Sequence, residues 1–179
     1  MKFPKNIDIN KLQFIGSGTQ GSVYKIDDEK CIKIFKKKFH CLKEINTMLM
    51  SQVDYHFPIL YSYGDKYIIR EYIDGIELDK YLLSNSLTPY LSNKLIELYD
   101  AMNFVGFSRL DTTLFHILLT DQYELKIIDT ARAMKKETIY PKLILEGLDK
   151  LNYKNQFLSY VKIVRPDLYN RWNSINNFY

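Results

Sequence analysis

The chain has 179 residues, 46% of them hydrophobic and 26% charged, enough for one domain or two small lobes around a sizeable core; a disordered or low-complexity chain is excluded. A net charge of +4 suits an anionic ligand or an acidic partner and does not by itself indicate nucleic acid, so no nucleic-acid partner is expected. Cys31 and Cys41 form neither a disulfide framework nor a metal-ligand spacing, no apolar run is long enough to span a bilayer, and residues 1–6 lack a leader-like apolar core, so a reduced, cytoplasmic, membrane-free protein is expected.

The first element is a glycine-rich loop. Residues 16–23 read Gly-Ser-Gly-Thr-Gln-Gly-Ser-Val. Gly16, Gly18 and Gly21 would let the backbone come close to a phosphate, where a Cβ would intrude. Residues 22–27 then alternate like a strand, Asp27-Asp28 makes a turn, and residues 30–35 alternate again. This is a strand, loop, strand, turn, strand meander. A dinucleotide-binding glycine loop opens a helix instead. Lys33, in Cys31-Ile32-Lys33-Ile34, offers a compact, mobile cation that can reach phosphate oxygens. An ordinary glycine hairpin is the other reading of these residues alone.

Phe39, Leu42, Ile45, Met48 and Leu49 recur at helical spacing and predict a helix over 36–52. Residues 58–63 and 66–72 read as strands joined at Gly64-Asp65. Asp74-Gly75 is a break, followed by a short helix over 77–83. Thr88 is a good N-cap with Pro89 at the first helical position. Leu91, Leu95, Leu98, Met102 and Val105 carry that helix to Gly106, a fitting residue just past its end. Residues 117–120 and 125–128 suggest a hairpin around Asp121-Gln122, and two or three short helices follow, with Pro141 and Pro166 near their starts. The expected class is α+β in two lobes, with an antiparallel-sheet lobe over 1–73, a mostly helical lobe over 74–179, and a small-ligand cleft between them.

Two further clusters carry chemistry. One is Arg109-Leu110-Asp111-Thr112-Thr113-Leu114-Phe115-His116; the other is Ile127-Ile128-Asp129-Thr130-Ala131. Asp111 and His116 are five residues apart, and Asp129 lies thirteen beyond His116 across the predicted hairpin. With the glycine loop, Lys33 and the helix residue Glu44, this pattern resembles the protein-kinase-like superfamily over roughly residues 12–131. Within it, the chain is similar to short bacterial Ser/Thr-kinase-like proteins and Rio-type minimal kinases.

The resemblance implies that Lys33 meets the α- and β-phosphates of ATP and that Glu44 holds Lys33 in place. Asp111 falls on the catalytic aspartate, Asp129 on the magnesium aspartate, and His116 on a metal-binding asparagine. Val23 and Cys31 would lie over the base, Leu118 beneath it, and Glu71 and Ile73 would read its edge from the hinge. The implied activity is a minimal serine/threonine protein kinase, using ATP with Mg2+ or Mn2+ to phosphorylate an unidentified protein. A pseudokinase that regulates a partner, and a kinase-fold ATPase or small-molecule kinase, are the alternatives. From the residues alone, Glu44 could be a solvated helix charge, and Asp111 and Asp129 could serve as helix caps or turn formers.

The chain also departs from the pattern. His116 replaces asparagine, and imidazole suits manganese or zinc better than magnesium. Leu110 replaces an arginine, Thr130-Ala131 replaces Phe-Gly, and Arg70 stands where an apolar gatekeeper is usual. Only 50 residues follow Asp129, so a truncated helical lobe is expected. His40, His56 and the basic tail read as structural or solvated features.

Overall fold

The structure, a computed structural model, describes residues 7, 8 and 11–176. Residues 1–6, where the sequence shows no leader-like core, lie outside them. Strands β1 (Gln13–Ser17), β2 (Gly21–Lys25), β3 (Lys30–Phe35), β4 (Leu60–Tyr63) and β5 (Tyr67–Glu71) form one antiparallel sheet in the order β1-β2-β3-β5-β4. The glycine loop joins β1 to β2. The next turn closes because Asp27 Oδ1 accepts from the N–H groups of Glu29 (2.9 Å) and Lys30 (2.7 Å), the local bonding that makes Asp a turn residue.

Helix α1 (Lys38–Ser51) packs on this sheet around Phe35, Cys41, Ile45, Met48 and Ile68. Its buried face differs from the predicted apolar stripe. Phe39, Leu42 and Leu49 are exposed, whereas Glu44 and Thr47 are buried beside Ile45 and Met48. The inward face is thus set by the partners of Glu44 and Thr47, described below, as well as by hydrophobic area.

The second half begins with β6 (Ile76–Glu77) and α2 (Leu78–Ser84), followed by α3 (Pro89–Phe104). Thr88 caps α3 as expected, its Oγ1 accepting from Leu91 N–H at 3.2 Å. Gly106 ends the turn after α3 with φ +78°, which glycine adopts without penalty. A single 3-10 turn (Leu114–His116) leads into β7 (Ile117–Leu119) and β8 (Leu125–Ile127). These two strands form the expected hairpin, and β6 joins them as a third strand in the order β6-β7-β8. Two residues are too few to show alternation, so β6 left no mark in the sequence.

Helices α4 (Lys142–Lys150), α5 (Lys154–Val164) and α6 (Pro166–Asn176) complete the chain. They pack with α3 and the small sheet on a second core that includes Leu95, Leu98, Met102, Ile117, Leu125 and Trp172. Trp172 anchors α6 by edge contact with Tyr99 and by stacking on Phe157. The two cores share no residue. The described residues therefore form an α+β structure with two antiparallel sheets and six α-helices, compatible with two lobes. No helix among the described residues is long and apolar enough to cross a membrane.

Candidate functional site

A cleft of about 580 Å³ lies where the five-stranded sheet faces the second half, within the size range of small-molecule sites. The glycine loop, Val23, Cys31, Lys33, Ile73, Asp111, His116, Leu118 and Asp129 all line it. Segments far apart in sequence thus converge on one cavity. Two predicted residues do not line it. Glu44 lies behind Lys33, and the Glu71 side chain turns away to bind Lys126 Nζ (2.9 and 3.1 Å) and the N–H of Ile59 (3.1 Å). The Glu71 backbone carbonyl instead accepts from Cys31 Sγ (3.6 Å) and Arg70 Nη1 (3.2 Å), both of which belong to the lining.

Lys33 is the centre of the site. Alternation along β3 puts it on the same sheet face as Cys31 and Phe35. Its Nζ donates to Glu44 Oε2 at 2.6 Å and to Asp129 Oδ2 at 3.2 Å. Lys33 is 7% and Glu44 1% exposed, so the surface-charge reading of Glu44 does not apply. Burial pulls the Lys33 pKa down, but the two carboxylates outweigh it and hold the ammonium protonated. Burial pushes the Glu44 carboxyl up, with Lys33 opposing. Burial also acts to raise Asp129, but Lys33, His116 and the Ala131 N–H together hold it below the usual carboxylate range. Thr47, one turn after Glu44, shares a hydrogen bond of 2.8 Å with Thr130. Helix α1 therefore holds Lys33 through one residue and the Asp129 segment through another. Residue 130, where the resembled pattern has Phe, is a hydrogen-bonding threonine here.

His116 closes the 3-10 turn and lies in the field of Asp129. Burial lowers its pKa, with Asp129 opposing, so the ring is neutral near pH 7. No group of three or more His, Cys, Asp or Glu side chains among the described residues is placed to hold a metal. Asp129 and His116 offer two donors. That is too few for a self-sufficient protein site, yet compatible with a magnesium-type ion held mainly by phosphates and one or two protein groups.

Asp111 also lines the cleft, but its carboxylate has partners of its own. Oδ1 accepts from the N–H groups of Leu143 (3.0 Å) and Ile144 (3.3 Å), and Oδ2 from Leu143 N–H (3.1 Å) and Arg109 Nη2 (3.4 Å). Asp111 thus caps α4 from a distant loop. Helix α4 has no side-chain cap of its own, because Pro141 occupies its N-cap position. A helix start that lacks a local Ser, Thr, Asp or Asn was the available sequence signal for a remote cap. Despite these bonds, burial pushes Asp111 up to about 6.

The flanking glycines separate two duties. A Cβ at Gly16 or Gly18 would meet no protein atom, whereas a Cβ at Gly21 would collide with the Ile34 carbonyl oxygen across the β2–β3 pairing. Gly21 is required by the sheet itself. His56, read from sequence as structural, is buried with Nδ1 at 2.7 Å from Asp54, and its carbonyl accepts from Ile127 N–H, tying the two halves together.

Compared with known protein-family models the chain matches none, and it likewise has no match among curated proteins.

Proposed function

We propose that this chain is a nucleotide-dependent phosphotransferase of the protein-kinase-like type, with ATP and a divalent ion as the reagents its resemblance implies and a protein hydroxyl as the acceptor. The observation that carries this reading is the buried Lys33 ammonium, bonded to both Glu44 and Asp129 beneath the glycine loop. Phosphoryl transfer depends mainly on positioning and charge stabilisation. Lys33 supplies an oriented cation for phosphate oxygens, and Glu44 fixes its direction. Glycine-loop N–H groups other than that of Gly18, which donates to the Gly21 carbonyl, would supply neutral donors at the same end. Asp129, joined by His116, would hold the divalent ion, which would neutralise charge developing on the phosphates. Asp111, the general-base position, would orient the acceptor hydroxyl.

A second reading has one specific observation in its favour. Both Asp111 oxygens are taken by backbone amides at the start of α4. A nucleotide-binding module that regulates a partner without transferring phosphate needs no free carboxylate there. The two readings separate in a paired experiment. On either, ATP with Mg2+ or Mn2+ raises the melting temperature, and Lys33→Ala removes most of that shift. Only on the first does the protein transfer labelled phosphate to itself or to a generic protein substrate, and Asp129→Asn then abolishes the transfer. An identical thermal shift in wild type and Lys33→Ala would take Lys33 out of the nucleotide site, and no shift in wild type would remove both readings.

A further inference from the structure

Among the charged residues lining the cleft that the phosphotransferase reading leaves without a task, Arg70 is the buried one. It stands on β5 directly across from Cys31, while Lys33 pairs with Ile68. Directly opposed residues of an antiparallel pair share a face, so Arg70, Cys31 and Lys33 all point to the cleft side. Arg70 lines the cleft and is only 5% exposed. Its Nε is buried with no hydrogen-bond partner, and no carboxylate lies within ion-pair distance of it among the described residues. A buried guanidinium with an unused donor is costly unless something supplies an acceptor.

The acceptor already present is informative. The Glu71 carbonyl is the group on the hinge that would receive a hydrogen bond from an exocyclic amine on a base. Here it is engaged by Arg70 Nη1 and Cys31 Sγ. An amino group brought to this edge meets donors, and its natural acceptor is shared already. A carbonyl oxygen brought to the same edge meets a guanidinium, which presents several fixed N–H donors and has no acceptor.

Resting on the nucleotide-binding reading, we propose that Arg70 makes this cleft select a purine nucleotide carrying a carbonyl oxygen at position 6, as in guanine or hypoxanthine, over adenine. In other settings arginine recognises the 6-oxo and N7 edge of guanine through its fixed N–H donors, with a discrimination of about tenfold to hundredfold against the wrong base. The surfaces that would lie above and below the base do not discriminate, since Val23, Cys31 and Leu118 offer only apolar or weakly polar faces.

The test compares GTP, ITP and ATP, each with Mg2+, by calorimetric titration of the whole chain and by competition. Wild type is expected to bind GTP and ITP about tenfold or more tightly than ATP. ITP isolates the 6-oxo group because it lacks the 2-amino group of guanine. Arg70→Met is expected to bring the three affinities together, chiefly by weakening GTP and ITP. The proposal is overturned if wild type binds ATP as tightly as GTP, a comparison that needs no variant and leaves nucleotide binding itself standing. It is equally overturned if the preference survives in folded Arg70→Met. Binding of none of the three would sink the nucleotide reading, and this proposal with it.

Discussion

The coupling of Lys33 and Glu44 can be measured without any activity. Lys33 lies between two carboxylates, Glu44 and Asp129, and Arg70 acts on Lys33 and Glu44 from beyond ion-pair distance. Lys33→Met leaves Glu44, 1% exposed, beside Asp129 with only Arg70 in opposition. Glu44→Leu leaves Lys33 with Asp129 at 3.2 Å and a net positive charge. Breaking a buried pair by removing one partner costs about 3–5 kcal/mol. Each single variant has some relief, Glu44 by taking up a proton and Lys33 by leaning on Asp129. Both should therefore fall near the lower end, about 3 kcal/mol. The double variant removes one charge of each sign and puts apolar groups into a buried site. It should cost no more than either single change, since buried pairs replaced together by hydrophobic residues are often neutral. Urea unfolding of the four proteins, with midpoints compared at constant slope, reads this directly. A double variant that loses the sum of the two single losses would refute the coupling and leave Glu44 as an unrelated buried charge.

Three other predictions follow from single residues. The Asp111 pKa, near 6 when folded against an ordinary value of 3.8, means that the folded state favours the protonated carboxyl. Its contribution is fully present below about pH 4 and is lost as pH rises through about 6, a change of roughly 3 kcal/mol at most. The stability of wild type minus that of Asp111→Asn should therefore fall across this window, and a flat difference would show that Asp111 ionises normally. Gly21→Ala should destabilise the sheet by about 1–3 kcal/mol, because the Ile34 carbonyl must move. Gly18→Ala should leave the unfolding midpoint in place while weakening nucleotide binding, and a large stability loss at Gly18 would contradict the open space around it.

Much of the architecture was legible because it rests on local rules. Thr88-Pro89 fixed the start of α3, Asp27 its turn, and alternation fixed β2 and β3 and hence the common face of Cys31 and Lys33. The convergence of Lys33, Asp129 and His116 on one cleft was legible through spacing within a resembled pattern. What spacing could not convey is how tertiary contacts rotate and engage those elements. Helix α1 turns Phe39, Leu42 and Leu49 outward because Glu44 and Thr47 must face Lys33 and Thr130. β6 exists only because β7 offers it an edge. The capping of α4 by Asp111 joins residues 32 and 33 positions apart; the uncapped start at Pro141 signals that a cap must come from elsewhere, but not from which residue.

Structural duty alone accounts poorly for Asp111. A helix N-terminus is capped about equally well by Asn, Asp or Ser, and a neutral cap brings no charge into a buried site. Here the two amides of α4 and the Arg109 guanidinium favour the carboxylate, yet burial outweighs them and raises the pKa. The charge is thus a net cost to folding at neutral pH, at a position where an uncharged residue could make the main hydrogen bond. Titratable groups perturbed in this way, placed in a cleft with Lys33 and Asp129, are the pattern expected of chemistry rather than of packing. A carboxyl poised near 6 is also better matched to accepting a proton at neutral pH than one at 3.8. On the phosphotransferase reading, the start of α4 is then the element that competes with an acceptor hydroxyl for Asp111.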